Sequence, residues 1–413
     1  MKKFLAMLLA LVMALSLVAC GEKKDDTQGD GDGDATAAKV KVGFITLHDE
    51  NSTYDLNFIN AAKKAIEDLG LTEDDYILKT NVPEGQECYE TAMDMVDNGC
   101  NIIFADSFGH EPYMIDAAKE NPDVQFCHST GTRAHTEGLA NYHNAFASIY
   151  EGRYLAGIAA GMKLNEMIEA GKFTAEEAKM GYVGAFTYAE VVSGYTSFYL
   201  GAKSVCPTVT MEVTFTGSWY DETAEKEAAN KLIQNGCKLI SQHADSMGAP
   251  TACEAAGVPN VSYNGSTETA CPNTYIVSSR IDWQPYFELI IRAVKDNNGK
   301  IPVDYTGTLA TGSVALTSAG KKAPAAGTQA KLDEIKAKLE SGEIKVFDTN
   351  TFTVKGEKVT TYLADVDDLG DYVGETESVK DGYFHESEYR SAPYFNLEID
   401  GITLLDRGPK TEG

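Results

Sequence analysis

"NGCNIIFADSFGH" (residues 98–110) and "NGCKLISQHADSMG" (residues 235–248) are nearly one phrase written twice. Each follows an amphipathic helical run, contains a short apolar strand and ends in a polar tail. Upstream of the first copy, "KVKVGFITL" has the β-branched, apolar character of a buried strand. "LNFINAAKKAIEDLG" then spaces its apolar residues as a helix that stops at Gly70. "DYILKTNV" and "GQECYETAMDMVDNG" repeat the pair, "NIIFADS" is the third strand, "PYMIDAAKENP" the third helix and "VQFCHSTG" the fourth strand. Such alternation predicts a parallel, doubly wound sheet.

The rhythm restarts at "KMGYVGAF", with the second copy again at the third strand: "AEVVSGYTSFYLGAKSV", "TVTMEVTFTGSW", "TAEKEAANKLIQNG", "CKLISQHADS", "GAPTACEAAG", "PNVSYNG". The predicted fold is therefore α/β, two Rossmann-like doubly wound lobes. "NYHNAFASIYEGRYLAGIAAGM", "TYIVSSRIDWQPYFELIIRAVKDNN" and "TGTLATGSVALTS" read as crossings between them, which makes a hinge. We assign residues 39–145 with 278–308 to an N-terminal lobe and 146–277 with 309–350 to a C-terminal lobe. Residues 351–413 form an acidic, aromatic extension to which the sequence gives no chemistry.

The chain has 413 residues, enough for two domains, and a formal net charge of −27. That charge excludes nucleic acid as a partner, because phosphate binding needs a cationic surface. Lys2 and Lys3 precede the apolar run "FLAMLLALVMALSLVA", which has the charge layout of an export signal over residues 1–19. "LVAC" at residues 17–20 resembles a bacterial lipobox, with Cys20 as the lipidated residue. The glycine- and aspartate-rich residues 20–38 read as a tether to a lipid anchor on the outer face of the cell membrane. The seven further cysteines show neither C-x-x-C nor Cys/His ligand spacing, so no metal or cofactor is expected.

In open α/β sheets, ligands bind beyond the carboxyl ends of the strands. "ADSFGH" and "QHADSMG" sit at such ends, one per lobe, and would face a shared cleft. Asp106 and Asp245 also suit helix caps, and one residue can serve both roles.

Taken together, the lipobox, the two lobes, "NYHNAFASIYEGRYLAG" and "SWYD…QHADS" resemble the basic membrane protein family of ABC-importer substrate-binding lipoproteins. The likeness runs from about residue 40 to about residue 350 and is sharpest in "EGRYLAG", "SWYD" and "QHADS". It is looser in the first loop, where this chain has Asn51-Ser-Thr-Tyr-Asp55. The resemblance implies a type I periplasmic binding protein fold, a monomer that delivers solute to an ABC permease, and a purine base or nucleoside as ligand. Tyr54 matches the family's first-loop aromatic, and Asp245 an acidic position that contacts ligand in nucleoside-binding relatives.

A purine offers two π faces and a rim of donors and acceptors, so it suits aromatic plates edged by polar groups. The candidate plates are Tyr54, Phe108, Tyr188, Trp219 and Trp283, each of which could instead be core. The candidate rim is Asp55, Ser107, Asp221, Gln242, His243 and Asp245, and His243 could equally fix its loop. Thr130 and Asn264 are weaker candidates, and Arg153 reads as an interlobe or helix-surface residue outside the site. No nucleotide-binding glycine motif or nucleophile elbow is present, so we expect no catalysis. A ligand-sensing receptor and a sugar-like solute remain the alternatives.

Overall fold

Strands form here where short apolar runs are bounded by polar turns, and each of the first five is followed by a helix. The structure is a computed structural model that describes residues 39–296 and 300–407. The expected export signal, Cys20 and tether lie outside these residues.

In the first lobe β1 (Val42–Ile45), β2 (Tyr76–Lys79), β3 (Ile102–Ala105), β4 (Gln125–Ser129) and β5 (Tyr142–Ala147) pair in parallel in the order 2-1-3-4-5. Helices α1 (Thr53–Asp68), α2 (Gln86–Asp97) and α3 (Glu111–Glu120) make the connections. After the short helix α4 (Ala134–Glu137), α5 (Ile149–Glu169) carries the chain across. The second lobe repeats the order with β6 (Lys179–Gly184), β7 (Thr210–Phe215), β8 (Leu239–Gln242), β9 (Asn260–Tyr263) and β10 (Tyr275–Ile281). Its helices are α6 (Ala189–Val205), α7 (Glu222–Gln234) and α8 (Gly248–Ala256). The duplicated phrase thus marks β3 and β8, the third and central strand of each repeat.

Three segments cross between the lobes. One runs from β5 into α5, and one from β10 into α9 (Gln284–Lys295), which packs on α1. The third joins β11 (Asp304–Gly307), parallel to β5, to β12 (Val314–Leu316), antiparallel to β10. They are stitched together: Ser148 N donates to the Gly307 carbonyl at 2.8 Å, and Asp282 N to the Ser313 carbonyl at 2.7 Å. The boundaries expected after residues 145 and 277 fall inside β5 and β10, each of which is one continuous strand of one sheet.

Beyond α10 (Thr328–Glu340), the acidic extension folds back on the body. Its strand β13 (Ile402–Leu404) adds to the edge of the second sheet in parallel with β7. Nearby, Asp406 accepts from Phe215 N at 2.9 Å.

"EGRYLAG" is explained by close helix packing. An added Cβ at Gly157 would lie 2.0 Å from the Phe198 carbonyl oxygen, and one at Gly201 would lie 2.0 Å from that of Tyr154. Only hydrogen side chains let α5 and α6 approach this closely, and most of both helices is buried. All seven described cysteines are buried and unpaired, packed as small apolar groups.

Candidate functional site

The strand-end loops of both lobes converge on a cavity of about 370 Å³. Its wall is made by Leu47, His48, Tyr54, Asp55, Ser107 and Phe108 with Thr130 from the first lobe, and by Glu190, Trp219, His243 and Asp245 from the second. Seven of the eleven residues selected from the sequence are therefore brought together here.

On the first-lobe side, Ser52 caps α1 and Asp55 stands in its first turn. The Asp55 carboxylate accepts from His48 N at 2.7 Å and from Ser52 Oγ at 2.5 Å. Burial alone would raise its pKa, but the hydrogen bonds from His48 and Ser52 outweigh it and hold the group below the usual carboxylate range. Tyr54 donates its hydroxyl to the Asp106 carbonyl at 2.7 Å, which fixes the ring. Asp106 lies behind the wall, fully buried, and accepts from Leu47 N at 3.0 Å. Burial and the neighbouring Asp55 charge push its pKa well up. Ser107 Oγ donates to Glu84 at 2.5 Å.

On the second-lobe side, Asp245 N donates to the Trp219 carbonyl at 3.0 Å, tying two site loops together. Burial, then the charges of Asp55, Glu225 and Glu190, push the Asp245 carboxyl well above its usual range. A carboxyl held this way can both donate and accept. His243 is buried, with Nδ1 at 3.1 Å from Arg153 Nη2 and Nε2 at 3.3 Å from Glu190 Oε1. Aromatic rings close the gap between lobes: Phe108 meets Tyr188 at 5.0 Å, and His48 meets Tyr220 at 5.4 Å.

Tyr188 is not on the cavity wall but forms an outer aromatic layer, stacked on Trp219 at 6.0 Å. Three other expected residues are placed elsewhere. Trp283 is a core residue, stacked on Phe58 at 4.5 Å, because the crossing before α9 drives it into the first lobe. Asp221 is exposed and caps α7, accepting from Ala224 N at 2.9 Å. Gln242 is buried in loop architecture, donating to the carbonyls of Ala244 and Ser246 at 3.0 and 3.2 Å.

Leu47, His48 and Glu190 were missed by sequence reasoning, although His48 follows β1 closely and Glu190 stands in the first turn of α6. The same strand-end rule that selected Tyr54 and Tyr188 points to them. Among the described residues, the carboxylates close enough to share a cation are Asp365, Asp367 and Glu375, which belong to the C-terminal extension and not to the cavity wall.

A family model described as "ABC transporter substrate-binding protein PnrA-like" (Bmp) matches residues 42–349. The chain belongs to the Bmp family. This Bmp protein is 30% identical over 352 residues to a purine-binding protein of Brucella abortus, covering 80% of this chain and 93% of that one. It is 36% identical over 187 residues to a putative ABC transporter glucose-binding protein of Haloferax volcanii, covering 45% of this chain and 44% of the relative. Among solved structures, an ABC transporter solute-binding protein from Conexibacter woesei superposes with a TM-score of 0.60 at 20% identity, covering 74% of this chain and 98% of that one. The architecture of the Bmp protein is thus the type I periplasmic binding protein fold, and its role is that of a substrate-binding component of an ABC transporter. Among the described residues, no helix is long and apolar enough to cross a membrane.

Proposed function

We propose that the cleft binds a purine base or nucleoside and that the lobes close on it for delivery to an ABC permease. The observation that carries this reading is the make-up of the cavity. The rings of Tyr54, Phe108 and Trp219 line a space of about 370 Å³ whose polar positions are Asp55, Ser107, Glu190, His243 and Asp245. Rings for the π faces and carboxyl, imidazole and hydroxyl groups for the edge are what a flat heterocycle requires. The purine-binding name of the Brucella relative points the same way. The protein acts by binding alone, with no cofactor or metal, as a monomer. Lipid on Cys20 would hold it at the extracytoplasmic face of the membrane.

A sugar is the second reading, favoured by the name of the Haloferax relative and by the carboxylates of the wall. A thermal-shift screen with adenine, adenosine, ribose and glucose separates the two, since a ligand that binds only the folded state raises the Tm. Purines should shift it. A shift with glucose and none with either purine would replace the purine assignment.

A further inference from the structure

Arg153 lies 2% exposed in α5, behind the cavity wall and absent from it. One guanidinium nitrogen, Nη1, donates to the Gln242 carbonyl at 2.9 Å, and Nη2 reaches His243 Nδ1 at 3.1 Å. Its guanidinium carbon stands 3.2 Å from the centre of the Tyr263 ring. An arginine only donates, so His243 Nδ1 must accept. The imidazole proton then resides on Nε2, the nitrogen that faces Glu190 at 3.3 Å.

We propose that Arg153 is a positioning residue that decides which proton His243 shows the ligand. By occupying Nδ1 it keeps the ring neutral and presents an Nε2–H donor beside the Glu190 carboxylate. A donor set beside an acceptor is complementary to a heterocycle edge that places a ring nitrogen next to an N–H. The inference rests on the purine reading only for the identity of that edge, not for the state of the histidine.

The surroundings support it. Burial pushes the His243 pKa down, Glu190 pulls it up and the Arg153 charge pushes it down again. The groups around the ring are Arg153 from α5, Glu190 from α6, Asp245 from its own loop, Tyr263 from β9 and Trp219 from the loop after β7. Tyr182 of β6 adds its ring beneath the guanidinium at 5.9 Å. Removing Arg153 would leave Glu190 as the dominant charge against the imidazole and favour the imidazolium.

The direct test is a long-range 1H–15N NMR spectrum of the ligand-free protein at neutral pH, with His243→Gln to assign the signal. A neutral ring protonated on Nε2 is expected; protonation on Nδ1, or on both nitrogens, overturns the proposal. The second test compares Arg153→Met and Arg153→Lys with the parent, after melting curves establish that each is folded. Adenosine affinity is measured by calorimetry from about pH 8 to about pH 5, the range over which an ordinary histidine charges. The parent should vary by less than about threefold. The methionine variant should lose about tenfold or more toward acid, since one unit of pKa change corresponds to about tenfold. Lysine restores charge without the two-pronged fork and should fall between. A folded methionine variant with the parent's tautomer and the parent's pH profile overturns the proposal. If that variant does not fold, the lysine variant and the parent spectrum still decide it. Adenosine that fails to bind the parent refutes the purine reading and leaves the spectrum to judge Arg153 alone.

Discussion

The backbone amide and the hydroxyl of Thr53 both reach the main-chain carbonyl of Asp245, each at 3.1 Å. Thr53 is the first residue of α1 in one lobe, and Asp245 lies in the polar tail of the duplicated phrase in the other. An otherwise unsatisfied donor at a helix N-terminus thus latches the cleft shut. Asn57 Nδ2 adds a second bridge to Asn264 Oδ1 at 3.1 Å. Thr53→Val keeps the amide contact and deletes the hydroxyl one. A hydrogen bond worth about 0.5–1.5 kcal/mol predicts roughly a two- to tenfold weaker ligand affinity. Calorimetry should register that loss with the Tm of the ligand-free protein nearly unchanged.

The chain contains two tryptophans with opposite roles. Trp219 lines the cavity, and Trp283 is 2% exposed in the core against Phe58 and Phe104. Ligand should therefore alter the fluorescence of Trp283→Phe, whose remaining indole is in the wall, and leave that of Trp219→Phe nearly unchanged. Trp283→Ala should cost about 3–5 kcal/mol of stability, the range for a buried aromatic truncated to alanine. Chemical denaturation of Trp219→Ala should show a much smaller loss.

Much of this architecture was legible because apolar strands and amphipathic helices alternate cleanly, and the repeated phrase fixes equivalent strands in the two lobes. Tyr54, Phe108, Trp219 and Asp245 were legible because strand ends point into the cleft in any doubly wound sheet. Trp283 was not, since it also follows a strand, and only the packing of the crossing reveals that it enters the other lobe's core. Arg153 reads from the sequence as an interlobe or helix-surface residue outside the site. The clue was its setting: α5 is rich in glycine and alanine and covered on more than one side, so a charge there must find partners inside. The extension was opaque because its short strands carry little periodicity and take their pairing from the second sheet.

The packing of α5 on α6 gives a prediction that is independent of ligand. Alanine at Gly157 would put a methyl carbon 2.0 Å from the Phe198 carbonyl oxygen, and at Gly201 the same distance from that of Tyr154. These neighbours are backbone and cannot rotate away. Overpacking of this kind costs about 1–3 kcal/mol or more, so each variant should melt several degrees lower. Alanine at Gly236, where a Cβ would meet nothing within 4 Å, supplies a comparison in which the only penalty comes from its φ of +90°.

Stability should pass through a maximum in mildly acidic solution, because two sets of buried groups oppose each other. Burial lowers the pKa values of His110, His128, His143 and His243, that of His143 to about 4. A histidine held neutral when folded binds fewer protons than when unfolded, so its contribution is present above the ordinary value of about 6.5 and is lost as the pH falls. Glu225 and Glu386 behave in the opposite sense. Burial raises Glu225 to about 7 and Glu386 to about 8, against hydrogen bonds from Ser246 and from the Tyr394 and Phe395 amides that favour the ionised form. Their folded forms hold protons that the unfolded chain has already released, so this stability is complete below about 4.5 and disappears as the pH rises through 7 to 8. Melting curves between about pH 4 and about pH 9 should therefore decline on both sides of about pH 6. Glu225→Gln should flatten the alkaline side, and a Tm that climbs steadily to pH 9 would contradict the assignment of those two carboxyls.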